Sequence, residues 1–381
     1  MAKCVDIIYN QYYDLEGKAV TIGGIQTYIT NLADLAVRIG FNVRIIQYLN
    51  RDECKQIHSG ILLCGFSVPV EKRNPDVLYS KVEKSRSEKD EYLTIFATDV
   101  IIPHKKVPNS IAIQHGICWD IETDTKKSLL RSFISKSISS FQIVKRIGNV
   151  DAVVCVDNNF ICWYRTQLYN CMVRLIPIMN FASIVDGLKK ERIDDSVKIV
   201  FARRFYSYRG TRLFAEAVKR ILCEYSNVAV TFAGNGPDAI WLKNNFKDDD
   251  RVIFTQYCSD ESVKFHSNFD IAVVPTIGSE GTSLSLLEAM SAKCAVICTN
   301  VGGMTNIIID GYNGLMVTPN IDQLYSAIKY LIDNKDIRNK ISERGHDTIR
   351  KSFTFEKWER KWREVLLGRY LAYRSNCRMN Y

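Results

Sequence analysis

Two glutamates, Glu280 and Glu288, stand eight positions apart where an apolar strand is predicted to turn through a glycine into a helix. The strand is expected over 270–275, where β-branched residues end at a proline, and Ser283 can cap the helix that follows. The start of such a helix presents unpaired N–H groups and the positive end of its dipole, and Gly281 allows the backbone to come close to a ligand. The segment therefore favours binding of an anion such as a phosphate.

The two glutamates themselves suit hydroxyl groups rather than the phosphate. An ionised carboxylate only accepts hydrogen bonds, so Glu288, inside the helix, could accept from both hydroxyls of a ribose. Glu280, still in the loop, would face a group attached to the bound phosphates and could accept hydrogen bonds from its hydroxyls. Two solvated glutamates beside an ordinary helix would have the same spacing, because Glu is common in first turns. The spacing alone leaves both interpretations open.

The segment from Pro275 to Val317 resembles the C-terminal signature of retaining glycosyltransferase family 4. It reads PTIGSEGTSLSLLEAMSAKCAVICTNVGGMTNIIIDGYNGLMV. The resemblance implies that Glu280 contacts the transferred sugar, that Glu288 holds the nucleotide ribose, and that Gly281 and Thr282 approach the phosphates.

Three positions depart from the family pattern. Lys293 and Ala295 occupy places where the family usually has Gly and Pro, and Ser283 replaces a frequent second glycine. These differences affect the shape of the turns more than the chemistry, and Ser283 remains an expected donor-binding residue.

Arginines cluster at the end of a second predicted strand, in FARRFYSYRG at 201–210. Two guanidinium groups can hold a diphosphate by charge-assisted hydrogen bonds and stabilise the charge that grows as it leaves. By the resemblance these are Arg204 and Arg209, where Arg209 replaces the family's lysine and keeps its charge but not its shape. Arg203 sits where a small residue is more usual. Surface arginines on a loop are the alternative interpretation.

Two glycine pairs add to the predicted donor site. FAGNGPD at 232–238 places Gly-x-Gly after a strand, which is a weak dinucleotide signal without a third glycine. The resemblance implies that Gly234 and Gly236 line the nucleotide-base pocket, and a plain tight turn is the alternative. Gly23 and Gly24 resemble the family's first loop, which faces the donor phosphates and the acceptor across the cleft, although a structural loop would look the same.

One histidine is a candidate catalytic residue. His115 follows the strand-like IAI and precedes a glycine, a placement expected at the mouth of a binding site. In the resembling family a histidine at such a position contacts the transferred sugar; a structural histidine is the alternative. Asp120, five positions later, could take part in acceptor binding.

The order of the predicted elements indicates an α/β protein with two parallel sheets. CVDIIYN, an amphipathic helix after Gly24 and NVRIIQYL form a strand–helix–strand unit, which implies parallel strands. We expect an N-terminal domain over 1–182, a linker over 183–196 and a nucleotide-sugar-binding domain over 197–353. By the resemblance the fold is GT-B, in which two Rossmann-like domains face each other across a cleft and a C-terminal helix, here about 354–381, packs back on the first domain.

Length and composition agree with a two-domain globular enzyme. A chain of 381 residues suggests two cores, and no run of 18 or more uncharged apolar residues or signal peptide is present, which favours a cytoplasmic location. Twelve cysteines are scattered without a CxxC pair, so we expect reduced core thiols. No histidine or second cysteine pair completes a zinc set, so no metal site is predicted.

A basic stretch suggests contact with an anionic membrane. Residues 125–150 contain six basic residues and no acidic one, in a chain of net charge +9. Four apolar residues fall on one face of the helix predicted there: Leu130, Ile134, Ile138 and Phe141. Such a helix can lie on the inner face of a membrane through 126–146 and would suit a lipid-linked acceptor. A helix packed on the first sheet with a solvated basic side is the alternative. Nucleic acid is not an expected partner, because no recognised binding module is present.

These observations predict a retaining glycosyltransferase that moves a sugar from a UDP- or GDP-linked donor to a hydroxyl of a glycan or lipid-linked acceptor in cell-surface polysaccharide or glycolipid assembly. The signature holds no evident covalent nucleophile, so by the family's usual account the departing diphosphate accepts the acceptor's proton, without metal or cofactor. A nucleotide-sugar epimerase of the same architecture, a glycoside hydrolase and a non-catalytic sugar-nucleotide binding module are the alternatives. The sequence does not identify the base, the sugar, the acceptor, the linkage or the oligomeric state.

Overall fold

A computed structural model describes residues 2–21, 23–117, 129–167, 173–185, 196–278 and 280–379, without the side chains of Leu129, Ser259 and 369–379. The chain forms two compact units. The first unit contains Met1–His115, Lys127–Ile178 and Glu359–Tyr381, and the second contains Gly116–Lys126 and Met179–Trp358. Most of the expected linker, 186–195, lies outside the described residues. The domain boundaries expected at 182 and 353 remain predictions.

The first unit is an α/β unit. Its elements in chain order are β1 (Lys3–Ile8), α1 (Gly24–Arg38), β2 (Asn42–Leu49), β3 (Glu53–His58), β4 (Ile61–Ser67), α2 (Pro75–Lys84), β5 (Glu91–Phe96), β6 (Ser110–Gln114), α3 (Leu129–Ile147), β7 (Ala152–Cys155), α4 (Asn158–Arg165) and β8 (Arg174–Pro177). The sheet order is β3-β4-β2-β1-β5-β6-β7-β8, and its neighbouring strands are parallel except for β3 and β4. The predicted strand–helix–strand unit is β1–α1–β2, in which Val5 pairs with Val43.

The second unit contains a six-stranded parallel sheet. Its elements are β9 (Val197–Ala202), α5 (Thr211–Glu224), β10 (Val228–Ala233), α6 (Ala239–Asn245), β11 (Val252–Thr255), α7 (Ser262–His266), β12 (Ile271–Val274), α8 (Leu284–Ser291), β13 (Ala295–Thr299), β14 (Leu315–Val317), α9 (Ile321–Asp333) and α10 (Lys335–Ser352). The sheet order is β11-β10-β9-β12-β13-β14. The prediction of two parallel α/β sheets is confirmed.

Apolar residues cover both faces of the second sheet. Side chains alternate along a strand, so Ile199 and Phe201 of β9 enter one buried cluster, whereas Val200 and Ala202 enter the other. Strands buried on both faces read as continuous apolar runs because helices cover each side of a parallel sheet. This arrangement leaves the strand ends as the places where polar residues can gather.

The last helix, α11 (Phe355–Met379), contributes a buried tryptophan that contacts α1 in the first unit. Trp362 is fully buried, and its indole Nε1 donates to the hydroxyl of Tyr28 on α1 at 2.7 Å. Glu359 pairs with Arg38 at the end of α1 at 3.3 Å. The contact joins the C-terminal helix to α1 inside the first unit. No helix among the described residues has the length and apolar character needed to cross a bilayer.

The expectation that the cysteines are reduced core thiols is wrong for part of the set. Cys54 and Cys64 form a disulfide between the antiparallel strands β3 and β4, where they are direct partners with Cα atoms 4.1 Å apart. Their separation of ten residues did not indicate this pairing, because it depends on the strand register. Among the cysteines that the structure describes, Cys162, Cys223 and Cys258 are exposed as well.

Replacing Trp362 tests the contribution of α11 to the first unit. We expect Trp362→Ala to lower the free energy of unfolding by about 3 to 5 kcal/mol, because a large buried ring is removed. Trp362→Phe keeps most of the ring but loses the hydrogen bond to Tyr28, so a loss of about 1 kcal/mol is expected. Urea denaturation followed by tryptophan fluorescence and circular dichroism measures both. Equal stability of Trp362→Ala and the parent protein would show that this part of α11 does not stabilise the unit.

Candidate functional site

The predicted donor residues of the second unit lie at the carboxyl edge of its sheet. Strand order runs outward from β9 through β10 to β11 on one side and from β12 through β13 to β14 on the other. The sheet therefore has its topological switch point between β9 and β12, which is where ligands bind in open α/β sheets. The loop after β9 carries three arginines, Arg203, Arg204 and Arg209, and the loop after β12 carries Glu280.

A buried cluster of charges joins these two loops. Oε2 of Glu280 accepts hydrogen bonds from Nη2 of Arg203, from Nη1 of Arg209 at 2.5 Å and from Oγ1 of Thr276 at 2.9 Å. Arg203 also donates through Nη1 to the hydroxyl of Thr276. The exposed fractions of the side chains are 6% for Arg203, 9% for Glu280 and 21% for Arg209. Arg209 is thus the more accessible of the two guanidinium groups.

The electrostatics of this cluster keep Glu280 ionised. Burial raises the pKa of the Glu280 carboxyl, but the charges of Arg203 and Arg209 outweigh that effect and lower the pKa to about 2. Burial lowers the pKa of Arg203, which the charge of Glu280 partly offsets. With two positive charges and one negative charge, the cluster carries one net positive charge. It therefore favours an additional anion at this edge of the sheet.

Two glycines allow the backbone to come close enough for this cluster to form. A Cβ atom at Gly234, the residue after β10, would lie 2.0 Å from the carbonyl oxygen of Arg203. At Gly302, where φ is +55°, a Cβ atom would lie 1.9 Å from the carbonyl oxygen of Glu280. That same carbonyl accepts from the N–H of Gly303 at 2.9 Å. The predicted Gly236 lies beside the backbone of Phe205.

The loop before α8 is buried and held from a second segment. Thr282 and Ser283 are almost fully buried, and the side-chain amide of Asn180 donates to the carbonyl of Thr282 at 2.7 Å. Ser283 occupies the N-cap position, as expected, but its hydroxyl makes no capping hydrogen bond. Gly281 precedes this pair in the same buried loop. The first turn of α8 thus keeps N–H groups that its cap residue does not satisfy, which suits a phosphate.

Glu288 lies on α8 in a different environment from Glu280. Its side chain is half-buried. Burial raises its pKa to about 7, although a hydrogen bond with the hydroxyl of Ser262 on α7 acts in the opposite direction. The charge of Glu288 contributes, after burial, to the raised pKa of Tyr257. Unlike Glu280, Glu288 therefore changes its protonation near neutral pH.

Arg204 does not join the cluster that contains Arg209. It is exposed, and its guanidinium carbon lies 5.6 Å from the ring centre of Tyr206. Successive residues at the end of a strand point to opposite sides, so Arg203 turns towards Thr276 and Glu280 while Arg204 turns to solvent. Sequence reasoning missed Arg203, and its departure from the small residue usual there was the available signal. Thr276, Gly302 and Gly303 were also missed.

The predicted residues of the first unit lie at helix and strand ends. His115 follows β6, and its Nε2 lies 2.9 Å from the carbonyl oxygen of Ala97, so Nε2 carries the ring proton. Burial lowers the pKa of His115 to about 4, which keeps the imidazole neutral at physiological pH. Its ring meets Tyr28 edge-on with centroids 5.3 Å apart. Gly23 is the N-cap residue of α1 and Gly24 its first residue. Asp120 lies outside the described residues.

Comparison with known proteins finds a family model that resembles most of the second unit. Residues 196–334 match the family model described as Glycosyl transferases group 1. An uncharacterized glycosyltransferase of Methanocaldococcus jannaschii is 23% identical over 67% of this chain and 67% of its own length. The lipopolysaccharide 1,2-N-acetylglucosaminetransferase of Salmonella typhimurium is 22% identical over 57% of this chain and 62% of its own length. The chain thus spans about two thirds or less of these curated relatives.

Solved structures agree in fold over nearly the whole chain. Sucrose-phosphate synthase from Thermosynechococcus elongatus has a TM-score of 0.76 at 16% identity and covers 97% of this chain and 100% of its own. HepE of Anabaena, solved with UDP-glucose, has a TM-score of 0.70 at 14% identity and covers 96% and 99%.

The fold and the site define the class of protein. The two parallel-sheet units and their structural neighbours identify the fold as GT-B, the fold predicted from the sequence. The family model matches residues 196–334 alone, and these two curated relatives are glycosyltransferases that resemble this chain at 22 to 23% identity. They support a sugar-transferring enzyme and do not favour the epimerase alternative. Among the described residues, no group of three or more His, Cys, Asp or Glu side chains is placed to hold a metal ion.

A matched pair of substitutions tests the charge cluster. We expect Arg203→Ala to lower the free energy of unfolding by about 2 kcal/mol, because the buried carboxylate loses a charged hydrogen-bond donor. Arg204→Ala removes an exposed arginine one position away and should cost less than about 1 kcal/mol. Urea denaturation of the two variants and the parent makes the comparison. An equal effect of both substitutions would contradict the pairing of Arg203 with Glu280.

Proposed function

We propose that the chain is a retaining glycosyltransferase that moves a sugar from a nucleoside diphosphate to a hydroxyl of a glycan or lipid-linked acceptor in polysaccharide or glycolipid assembly. The observation that carries this proposal is the buried Arg203–Glu280–Arg209 cluster at the switch point of the second sheet. The solved HepE complex with UDP-glucose supports a UDP-linked donor, and a GDP-linked donor is the alternative expected from the sequence. The lipopolysaccharide transferase of Salmonella typhimurium, by its name, supports a glycan acceptor.

In the proposed complex, the diphosphate lies between the arginine loop and the start of α8. The N–H groups near Gly281, Thr282 and Ser283 would meet the phosphate oxygens, as helix starts do in other phosphate sites. Because Arg209 is more accessible than Arg203, Arg209 is the guanidinium that can turn to the diphosphate. Arg204 can approach it from solvent.

The remaining roles follow from the hydrogen-bonding capacity of each residue. Arg203 and Thr276 keep Glu280 ionised and oriented once Arg209 has turned, so Glu280 can accept from hydroxyls of the transferred sugar. Glu288 accepts from the ribose hydroxyls, and Gly234 and Gly236 lie beside the base. In the first unit, the family resemblance assigns Gly23 and Gly24 to the phosphates and assigns His115, whose Nε2 donates to the carbonyl of Ala97, to the sugar.

In the proposed reaction the bond between the anomeric carbon and the diphosphate oxygen breaks as the acceptor oxygen forms a bond on the same face. The acceptor's hydroxyl proton passes to the departing diphosphate, so no further base is required. Arg209 stabilises the negative charge that grows on the leaving group, which is the kind of electrostatic contribution that lowers a barrier most. The step as proposed uses no metal ion and no cofactor.

The raised pKa of Glu288 predicts a pH dependence of donor binding. Below pH 7 the carboxyl is protonated and accepts more weakly, so the Kd of the nucleoside diphosphate should fall as the pH rises from 6 to 8. Glu288→Gln has no titrating group there and should remove that part of the dependence. It should also weaken binding by about 1.5 to 3 kcal/mol at pH 8. Titration calorimetry of both proteins measures the effect; parallel pH profiles would exclude Glu288 from the ribose contact.

A donor and product analysis tests the function itself. UDP, GDP and ADP are screened for binding, and the matching sugar nucleotides are then assayed with polysaccharide and lipid-linked acceptors in the presence of EDTA. We expect transfer with retained anomeric configuration, measured by proton NMR of the product, and no loss of rate in EDTA. Release of an altered sugar nucleotide without acceptor would indicate an epimerase. Inversion at the anomeric carbon would contradict the proposed mechanism.

A further inference from the structure

An exposed apolar face runs along α3 in the first unit. Five large apolar side chains on this helix are between 48% and 69% exposed: Leu130, Phe133, Ile134, Ile138 and Phe141. Their spacing of three and four residues places them on one side of the helix. The C-terminal end of the helix packs into the first unit, where Ile143, Val144 and Ile147 are buried. Single exposed apolar residues are ordinary, but a contiguous stripe marks an interaction surface.

The charges on α3 are all of one sign. Leu129–Ile147 contains four basic residues and no acidic one. Arg131 and Lys145 lie at the two ends of the apolar face and are exposed. Arg146 donates from Nη1 to the carbonyl of Val100 at 2.6 Å, which directs it back towards the unit. The face therefore combines apolar side chains with flanking positive charge.

A cavity adjoins the C-terminal half of this face. It has a volume of about 470 Å³, and its lining includes Ile138 and Phe141 from the apolar face, Lys145 and Arg146 from the last turn of the helix, and Asn149 just after it. His104, on its rim, pairs with Asp76 at 2.6 Å. Apolar and positively charged side chains therefore line the same concave surface. Such a surface can bind a lipid that has an apolar chain and an anionic head group.

We infer that α3 docks the first unit on the surface of an anionic phospholipid bilayer. The five apolar side chains enter the boundary between head groups and acyl chains, and Arg131 and Lys145 meet lipid phosphates. The absence of acidic residues along α3 and the net charge of +9 complement a negative surface, to which each nearby basic residue adds attraction. Lys126 and Lys127, which precede the helix, lie outside the described residues. This inference stands independently of the donor chemistry.

The test is sedimentation of the full chain with vesicles of equal parts phosphatidylglycerol and phosphatidylcholine, beside vesicles of phosphatidylcholine alone. One variant replaces Phe133, Ile138 and Phe141 by Ser. Its matched control carries Val70→Ser, Ile253→Ser and Ile309→Ser, three residues of comparable exposure elsewhere. A second variant, Arg131→Glu with Lys145→Glu, is matched by Lys243→Glu with Lys247→Glu on the second unit. Circular dichroism melting confirms that each variant is folded.

We expect the parent protein to sediment with the anionic vesicles and less at high salt. Each α3 variant should bind them at least about tenfold more weakly, and the controls within about twofold of the parent. Transfer to a water-soluble acceptor should be equal in all five proteins, so a failure of docking is distinct from a failure of the proposed function. If the α3 variants bind as the parent does, or the parent binds no vesicles, the inference is wrong. Loss of self-association with unchanged vesicle binding would identify a second copy as the occupant instead.

Discussion

The second unit depends on a carboxylate that is buried among positive charges. An isolated buried carboxylate is strongly unfavourable, and it is tolerated only when its oxygens are paired and hydrogen-bonded. Glu280 meets this condition because one of its oxygens accepts from Arg203, Arg209 and Thr276 together. The cluster fixes the loop after β9 against the loop after β12, and Gly234 supplies the close backbone approach beside Arg203 that it needs. The shape of the sheet edge follows from this one requirement.

The two arginines of the cluster differ in their accessibility to a ligand. Arg203 is nearly buried and bonded to both Glu280 and Thr276, so it serves the carboxylate, whereas the more accessible Arg209 can serve a ligand. The two glutamates of the signature also differ, because opposite electrostatic environments hold one ionised and let the other titrate near neutral pH. Identical side chains eight residues apart therefore differ in protonation near neutral pH.

The match to a family model is confined to the second unit. The family model covers residues 196–334, all within the second unit, where the charge cluster lies. The first unit lies outside that match, so the properties of His115 and α3 are inferred from the packing around them. Burial keeps His115 neutral, and α3 turns an apolar face to solvent while Ile143, Val144 and Ile147 near its end are buried.

The sequence alone determined the class of fold and the stretches that hold the site. Local periodicity predicts β1–α1–β2 and the strands of the second unit. The motif that contains Glu280 and Glu288 can likewise be recognised from the order of residues along the chain. Tertiary structure decided the partners. Arg203 rather than Arg204 meets Glu280 because side chains alternate in direction at the strand end, so that Arg204 lies beside Tyr206 instead. Cys54 bonds Cys64 because the register of two strands aligns them. The protonation of His115 and Glu288 depends on burial by residues distant in sequence, which no local pattern contains.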